Sequence, residues 1–453
     1  MENKHAINML EGSIYKNLCI IAIPIALSNI LQQLFNASDT AVVGHFASSQ
    51  AMAAVGSNAP VINMIVTFFT GLSIGANVVL ARCIGAKEED KANEVLHTSF
   101  VLAIISGLLM LIIGQLIAKP VLLLLHTPAN VINMATMYLR IYFCGMPFLM
   151  IYDFGSAVLR SIGDTKRPLY FLIIAGIVNV CLNLVFVIGF HRNADGVALA
   201  TTIANGLSSF LIFYTLLHEQ GMLHLDIHKL GIKSEYLRSI LWIGLPAGLQ
   251  GLIFSFSNVV IQASINHFGS ACVAGNAAAL NFEYICYFIV NGFTQATMTF
   301  ISQNYAAKNY TRCRKTTRTA WLCAFGFTAL LSCTFYLFKG PLLSLFTNDP
   351  KVIYYAYIRM TYIALLEPLT SLYEVPGGSL RGIGHSLEPT IFTLIGSCIL
   401  RIIYITIRYH SFTNFAQVAV IYPISWIITG TAVILLYLKV TKEEYIEIYR
   451  DVV

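Results

Sequence analysis

The strongest constraint on this chain is a series of long apolar segments separated by short polar loops. Twelve such segments can be drawn, each close to the roughly 20 residues that a helix needs to cross a bilayer. Because open strands leave backbone polar groups unpaired in lipid, every segment is predicted to be helical. The segments lie at about residues 17–45, 52–81, 95–118, 131–159, 168–190, 195–217, 239–265, 271–303, 319–338, 353–380, 389–410 and 415–438.

The composition excludes a soluble protein. Hydrophobic residues make up 57% of the 453 positions and charged residues 11%, whereas soluble domains carry about 25% charged residues. The net charge of +6 resides in short loops and not on a separate basic domain, so no nucleic-acid partner is predicted. The ten cysteines are scattered and form no CxxC motif, which predicts neither a disulfide framework nor a zinc site.

The charges in the loops predict the orientation. If both termini are cytoplasmic, the inner loops carry 20 Lys and Arg residues and the outer loops carry 5. This asymmetry agrees with the positive-inside rule and with an even number of spans. We therefore expect a multi-pass protein of the inner or plasma membrane with cytoplasmic N- and C-termini.

The two halves of the sequence repeat. The block 147–168 matches the block 368–389, which places Asp153 opposite Glu374, and the offset stays between 219 and 222 across several segments. Six segments per half give both halves the same direction in the membrane, which predicts a pseudo-twofold axis along the membrane normal and a central cleft.

The predicted fold class is an all-α membrane protein with twelve transmembrane helices in two pseudo-twofold-related six-helix bundles. The N-terminal bundle covers residues 1–218 and a cytoplasmic linker covers residues 219–238. Residues 239–453 form the C-terminal bundle with a short cytoplasmic tail.

The first apolar segment contains a carboxylate. Gln32, Asn36 and Asp39 recur at i, i+4 and i+7, which stacks them on one helix face. A charge inside hydrocarbon costs roughly 2.5 to 3.5 kcal/mol on insertion scales, so Asp39 is a candidate for binding a proton or cation. The alternative is a helix end where Asp39 caps the helix or reaches the headgroups. Pro24, earlier in the same segment, predicts either a fixed kink or a moving hinge.

The second half has acidic candidates of its own. Glu283 lies deep in the eighth segment, where the equivalent position of the first half is Ile62. It is either a functional group or a buried partner of a basic side chain such as Arg401. For Asp153 a structural role is favoured, while Glu374 is a candidate for a cavity.

Methionine and aromatic side chains in the segments suit a substrate cavity, because soft and aromatic surfaces bind varied cations. Each one alone also fits plain packing. The candidates are Met64, Phe68, Met150, Tyr152, Tyr284 and Tyr287.

Several of these features together resemble the multidrug and toxic compound extrusion (MATE) family over nearly the whole chain. They include Pro24 with Asp39, the pair Ala86-Lys87 after a glycine-containing segment, the stretch LRSIGDTKRP at 159–168, and QNYAA at 303–307. The resemblance implies an antiporter that opens alternately to the two sides. Such proteins export amphipathic, often cationic drugs or metabolites in exchange for H⁺ or Na⁺.

The resemblance also implies a cation site in the N-terminal bundle. The family pattern falls on Gln32, Asp39, Asn179, Asn183 and Thr202 or Thr201. Some members carry a second Asp where this chain has Asn183, and a single formal charge favours a proton over Na⁺. Another branch places a Glu on the seventh helix, but residues 250–255 contain no carboxylate here.

Two other functions fit the sequence less well. A flippase for lipid-linked oligosaccharides needs a basic cleft, and the acidic residues Asp39, Glu283 and Glu374 disfavour an anionic lipid. A membrane enzyme using His224 and His228 lacks a nucleophile, a general base and a nucleotide-binding loop, so a solvated linker is favoured. We expect no enzyme activity, no metal, no cofactor besides the coupling ion, and a monomer surrounded by lipid that binds small organic molecules.

Overall fold

A computed structural model describes residues 7–125, 127–219 and 221–450. Within these ranges the chain forms helices and short loops and contains no β-strand. The first half contains α1 (Ile14–Phe46), α2 (Ser49–Gly85), α3 (Glu89–Leu124), α4 (Ile132–Cys144), α5 (Met146–Ser161), α6 (Lys166–Leu184) and α7 (Ala194–His218). The second half contains α8 (Ser234–Asn266), α9 (Ser270–Ala306), α10 (Tyr310–Leu337), α11 (Lys339–Ser344), α12 (Pro350–Tyr362), α13 (Ser371–Gly382), α14 (Leu387–Thr393), α15 (Leu400–Arg408), α16 (Phe415–Ala419) and α17 (Ile421–Arg450).

A helical segment is present at every one of the twelve predicted positions, which confirms the all-α membrane fold. In the described residues, 10 helices are long and apolar enough to span a membrane, and the pair α4 and α5, bent by 45°, would make 11. The tenth predicted segment is broken, because α12 ends at Tyr362 and a 3₁₀ helix, Ala364–Thr370, precedes α13. Pro368 lies in that 3₁₀ helix and lacks a backbone donor, which fits the break.

The internal repeat is also present in the backbone. Lys87 after α2 and Lys308 after α9 both adopt a left-handed conformation, with φ of 59° and 58°. Gly163 after α5 and Gly384 after α13 have φ of 82° and 95°, where glycine avoids the steric cost of a side chain. The two pairs keep one offset in sequence, so the halves share their loop geometry as well as their apolar pattern.

The chain forms two compact units. Leu27–Gly244 makes up most of the first unit, and Asn8–Ala26 together with the chain from Leu245 onward makes up the second. Both α1 and α8 therefore divide between the units, close to Pro24 and Pro246. This division differs from the predicted limits of 1–218 and 239–453.

Glycines explain which parts of α1 and α8 pack in each unit. In the first unit, a Cβ on Gly75 of α2 would lie 2.1 Å from the carbonyl oxygen of Ile240 in α8. In the second unit, a Cβ on Gly292 of α9 would lie 2.6 Å from the carbonyl oxygen of Ala22 in α1. Because real Cβ atoms do not approach so closely, these helices pack backbone to backbone only with glycine present.

The predicted linker, residues 219–238, packs on the first unit. Asn93 of α3 donates from Nδ2 to the carbonyl oxygen of His224 at 3.0 Å. The backbone N–H of Asp226 donates to Nε2 of His97, also on α3, at 3.0 Å. Asn93 and His97 thus hold the linker against α3, and neither residue was a candidate in the sequence analysis.

Many large apolar side chains lie on the outside of the described chain. Leu116, Leu124, Leu337 and Ile407 are each more than 70% exposed. Exposed leucine and isoleucine at this density would be a liability in water but suit contact with lipid chains.

Candidate functional site

Asp39 lies in the second half of α1 and is buried, with 5% of its surface exposed. Its Oδ1 accepts a hydrogen bond from Nδ2 of Asn183 in α6 at 2.5 Å. Its Oδ2 accepts from Oγ1 of Thr201 in α7 at 3.0 Å. Three helices of the first unit therefore converge on one carboxylate.

The partners of Asp39 are joined to each other. Nδ2 of Asn183 also lies 3.2 Å from Oδ1 of Asn179, and Nδ2 of Asn179 donates to Oγ1 of Thr201 at 3.2 Å. The four-residue spacing of the two asparagines places them on one face of α6. We refer to Asp39, Asn179, Asn183 and Thr201 as the Asp39 cluster, a closed ring of hydrogen bonds around one carboxylate.

The Asp39 cluster offers oxygen atoms to a small cation. Carboxylate, amide and hydroxyl oxygens are the ligands that hard cations prefer, and the carboxylate is the group among them that can take up a proton. Oδ1 of Asn183 is buried and has no hydrogen-bond partner in the described part of the chain. No Lys or Arg there forms an ion pair with Asp39. The cluster thus holds an acid without a built-in counter-ion.

The other predicted members of this site make no hydrogen bond to the Asp39 cluster within the described residues. Thr202 donates to the carbonyl oxygen of Ile141 at 3.1 Å, so Thr201 and not Thr202 meets Asp39. Asn36 is exposed and Gln32 only partly buried, and within the described ranges neither hydrogen-bonds to the cluster. Gln32, Asn36 and Asp39 were predicted to share one face of α1, but of the three only Asp39 takes part in the hydrogen bonds of the cluster.

Glu283 in α9 is part of a buried ion pair with Arg359 of α12. Nε of Arg359 donates to Oε2 of Glu283 at 2.8 Å, and Nη2 donates to Oε1 at 3.0 Å. Oδ1 of Asn276 accepts from Nη1 at 2.5 Å. Glu283 thus has a basic partner, as one of the two predicted alternatives requires, but that partner is Arg359. The example named from the sequence, Arg401, donates from Nε to Oγ of Ser425 at 2.7 Å.

Sequence reasoning missed Glu367. This residue lies on the 3₁₀ helix between α12 and α13 and is 3% exposed. Its Oε2 is buried without a hydrogen-bond partner among the described residues. A carboxylate directly before a proline inside an apolar segment was a visible signal in the sequence.

The matched carboxylates Asp153 and Glu374 are both buried in their own units. Oδ2 of Asp153 accepts from Oγ1 of Thr70 at 3.2 Å. Oε1 of Glu374 lies 3.5 Å from the hydroxyl of Tyr287. Each thus has one hydroxyl partner, and the structural role of Asp153 and the cavity role of Glu374 stay predictions.

The six predicted cavity residues do not share one environment. Met150 is fully buried and Tyr152 is 5% exposed, and the Tyr152 hydroxyl donates to the carbonyl oxygen of Pro168 at 3.0 Å. Both are core residues of the first unit, in contrast to the prediction that they line a cavity. The remaining four, Met64, Phe68, Tyr284 and Tyr287, are partly buried.

The histidines of the linker, His224 and His228, have different surroundings. In the portions of the chain that the structure describes, no group of three or more His, Cys, Asp and Glu side chains lies close enough to hold a metal ion. The His228 side chain is 96% exposed and contacts Asp226, while Nδ1 of His224 lies 3.0 Å from the carbonyl oxygen of Glu219.

A repeated, all-helical membrane fold with carboxylates inside its apolar segments is typical of membrane transporters. A family model described as MatE matches residues 24–185 and again 246–407. The two matches cover well over half of the chain, which therefore belongs to the MATE family of multidrug efflux transporters. The resemblance seen in the sequence is confirmed.

Curated relatives agree with this family. The chain is 26% identical over 394 residues to "Probable multidrug resistance protein YoeA" of Bacillus subtilis. This alignment covers 85% of this chain and 84% of the relative. It is 27% identical over 357 residues to a protein of Shewanella oneidensis named FAD transporter, with 78% of each chain covered.

Solved structures agree with the fold. A MATE protein in complex with MaD3S matches with a TM-score of 0.90 at 21% identity, covering 98% of this chain and 99% of that one. A MATE family transporter described as outward-facing matches with a TM-score of 0.89 at 21% identity, covering 99% and 100%.

Proposed function

We propose that this protein is a cation-coupled antiporter that exports amphipathic, often cationic drugs or metabolites by alternating access. We further propose H⁺, in preference to Na⁺, as the coupling ion. The observation that supports this proposal most strongly is the Asp39 cluster, in which one intramembrane carboxylate has polar neutral partners and no basic one. Asn183 stands where a second acid would strengthen a Na⁺ site, so one proton suffices to neutralise the cluster.

In the proposed cycle, the carboxyl group of Asp39 gains and loses a proton as its surroundings dry and become wet. Proton uptake from the outside removes the only formal charge of the cluster and converts one acceptor oxygen into a donor. The hydrogen bonds to Asn183 and Thr201 must then rearrange, which shifts α1 against α6 and α7. Release of the proton to the cytoplasm restores the ring and the affinity for substrate.

The test uses purified protein in proteoliposomes, with pH and Na⁺ gradients imposed separately and export of a cationic dye as the readout. A pH gradient alone is expected to drive export, and Asp39→Asn is expected to abolish it while the protein still folds. The matched control is Asp153→Asn, which removes a buried carboxylate of the same unit outside the cluster and should keep gradient-driven export.

Two results would contradict the proposal. Export that requires Na⁺ and ignores the pH gradient would overturn the choice of ion. Export by Asp39→Asn at the wild-type rate would overturn the site.

The substrate class is tested in the same vesicles. Relatives bear the names multidrug resistance protein and FAD transporter, so cationic dyes and FAD are both offered. Competition between a dye and FAD would place both on one path through the protein, whereas transport of FAD alone would contradict a preference for cations.

The proposed setting is a monomer in the plasma membrane with both termini in the cytoplasm and no enzymatic activity. The excess of Lys and Arg on one set of loops supports this orientation. Epitope tags on the two termini should be detected only after cells are permeabilised.

A further inference from the structure

Equivalent loops of the two halves carry related ionic contacts. In the loop after α5, the backbone N–H of Asp164 donates to the carbonyl oxygen of Leu159 at 3.1 Å. In the loop after α13, the backbone N–H of His385 donates to the carbonyl oxygen of Leu380 at 2.9 Å. Asp164 and His385 therefore occupy the same place in the repeat, although their charges are opposite.

In the first half, the contact is built on an arginine. Nε of Arg167 binds the carboxylate of Asp164, and Nη1 lies 2.6 Å from Oε2 of Glu219. Glu219 directly follows α7, so the loop before α6 is fastened to the end of the last helix of that half. A guanidinium stays charged at every physiological pH, which makes this contact insensitive to pH.

In the second half, the corresponding contact is built on a histidine. Nδ1 of His385 lies 3.0 Å from Oε1 of Glu388, and Nε2 lies 3.1 Å from Oε1 of Glu444 on α17. The hydroxyl of Tyr305, near the end of α9, donates to Oε2 of Glu444 at 2.6 Å. Ionised carboxylates only accept hydrogen bonds, so both contacts are made at once only when both ring nitrogens carry a proton.

The surroundings of His385 favour that doubly protonated ring. Partial burial by itself would lower the pKa of His385, but hydrogen bonds and charges from Glu388 and Glu444 outweigh it and the pKa is raised above its usual value. Arg381, at the end of α13, points its Nη2 at Gln250 instead.

No further charged side chain in the described ranges contacts the imidazole. Tyr310, at the start of α10, is a further titratable residue that lies close enough to Glu444 to be affected by its charge. His385, Glu388 and Glu444 have side chains that are 30%, 45% and 31% exposed. Water and protons therefore reach the group without any opening of the helices.

We propose that His385, Glu388 and Glu444 form a proton-dependent latch that fastens the end of the last helix, α17, to the loop between α13 and α14. A histidine with a raised pKa contributes its stabilisation at low pH and loses it as the pH rises through that pKa. The latch is thus closed at pH values below the pKa of His385 and loosens above it, whereas the Arg167 contact is kept at both pH values. On the topology proposed above, both contacts face the cytoplasm, so the latch responds to cytoplasmic pH.

The experiment is hydrogen exchange of the full chain in lipid nanodiscs at about pH 6 and about pH 9, on either side of ordinary histidine titration. Rates are divided by the intrinsic exchange rate at each pH. In wild type, protection of peptides within residues 437–445 should fall about two- to fivefold at the higher pH, the range expected for a partly exposed ion pair. His385→Arg should abolish this fall, and His385→Gln should give low protection at both pH values.

The repeat supplies a matched control. Arg167→His replaces the permanent cation between Asp164 and Glu219 by a titratable one, and should introduce a pH-dependent loss in peptides near residues 211–219. Wild-type protection that does not change with pH, or an equal fall in His385→Arg, would overturn the latch. Because the readout is exchange and not transport, failure of the latch is distinct from failure of the proposed antiport.

Discussion

At the scale of single residues, two neighbouring side chains of the same type can have different partners in the fold. Thr201 and Thr202 are adjacent and chemically identical, yet only Thr201 reaches Asp39, while Thr202 bonds to the backbone at Ile141. Adjacent positions on an α-helix differ by about 100° in direction, because 3.6 residues complete a turn. One residue of register therefore decides which hydroxyl belongs to the site.

The two threonines make a sharp test of the Asp39 cluster. Thr201→Val removes a hydrogen bond to a carboxylate, worth about 1.5 to 3 kcal/mol, so coupled export should fall by about tenfold or more. Thr202→Val should change export by less than about twofold, since it removes only a neutral contact to the backbone. Dye export in proteoliposomes measures both variants, and equal losses would argue that the cluster is not the coupling site.

The ion pair of Glu283 with Arg359 allows a prediction about stability. Glu283→Gln leaves a buried guanidinium without its counter-charge, which should lower the free energy of unfolding by about 3 to 5 kcal/mol. The control Asp195→Asn breaks a pair with Arg192, whose side chain is 54% exposed, and should cost less than about 1 kcal/mol. Unfolding in detergent compares the two, and similar losses would show that the Glu283 pair is no more important than a surface contact.

At the scale of secondary structure, helix α1 illustrates how packing overrides a simple division of the sequence. Its first part packs on Gly292 in the second unit, and its later part carries Asp39 into the first unit. Helix α8 divides in the opposite sense, with its first part on Gly75. Pro24 lies inside α1, which continues past it as one helix, and its role as a hinge stays a prediction.

The close approach at Gly75 can be tested by adding one methyl group. Gly75→Ala would place Cβ 2.1 Å from the Ile240 carbonyl oxygen, and the forced shift of backbone should cost about 1 to 3 kcal/mol of stability. Gly56 lies in the same helix. Apart from its chain neighbours and the adjacent helix backbone, no described atom lies within 4 Å of the place that a Cβ would take there. Gly56→Ala should therefore be neutral or stabilise by up to about 1 kcal/mol. Thermal unfolding of both variants checks this, and a stable Gly75→Ala protein would mean that α2 and α8 separate easily.

At the scale of the whole molecule, the two units differ in how they manage charge in the membrane. Among the residues that the structure describes, Asp39 in the first unit forms no ion pair, whereas Glu283 in the second unit is held by Arg359. A compensated pair gains little from taking up a proton, while an isolated carboxylate changes its charge state with each proton. The repeat thus gives both units one backbone plan. The proposed coupling is assigned to the first unit because Asp39 is ringed by neutral polar side chains, whereas Oε2 of Glu367 in the second unit has no such partner among the described residues.

The sequence by itself determined the membrane class, the helical segments and the internal repeat, because hydropathy, segment length and sequence offset are properties that can be measured along the chain. It also singled out Asp39 as a candidate for the coupling site, since an acid in an apolar segment stands out from its neighbours. The tertiary structure decided which side chains meet: Thr201 and not Thr202 contacts Asp39, and Arg359 and not Arg401 pairs with Glu283. It also decided that Met150 and Glu367 are buried. These depend on the rotation and spacing of helices that are far apart in sequence, so no local pattern specifies them.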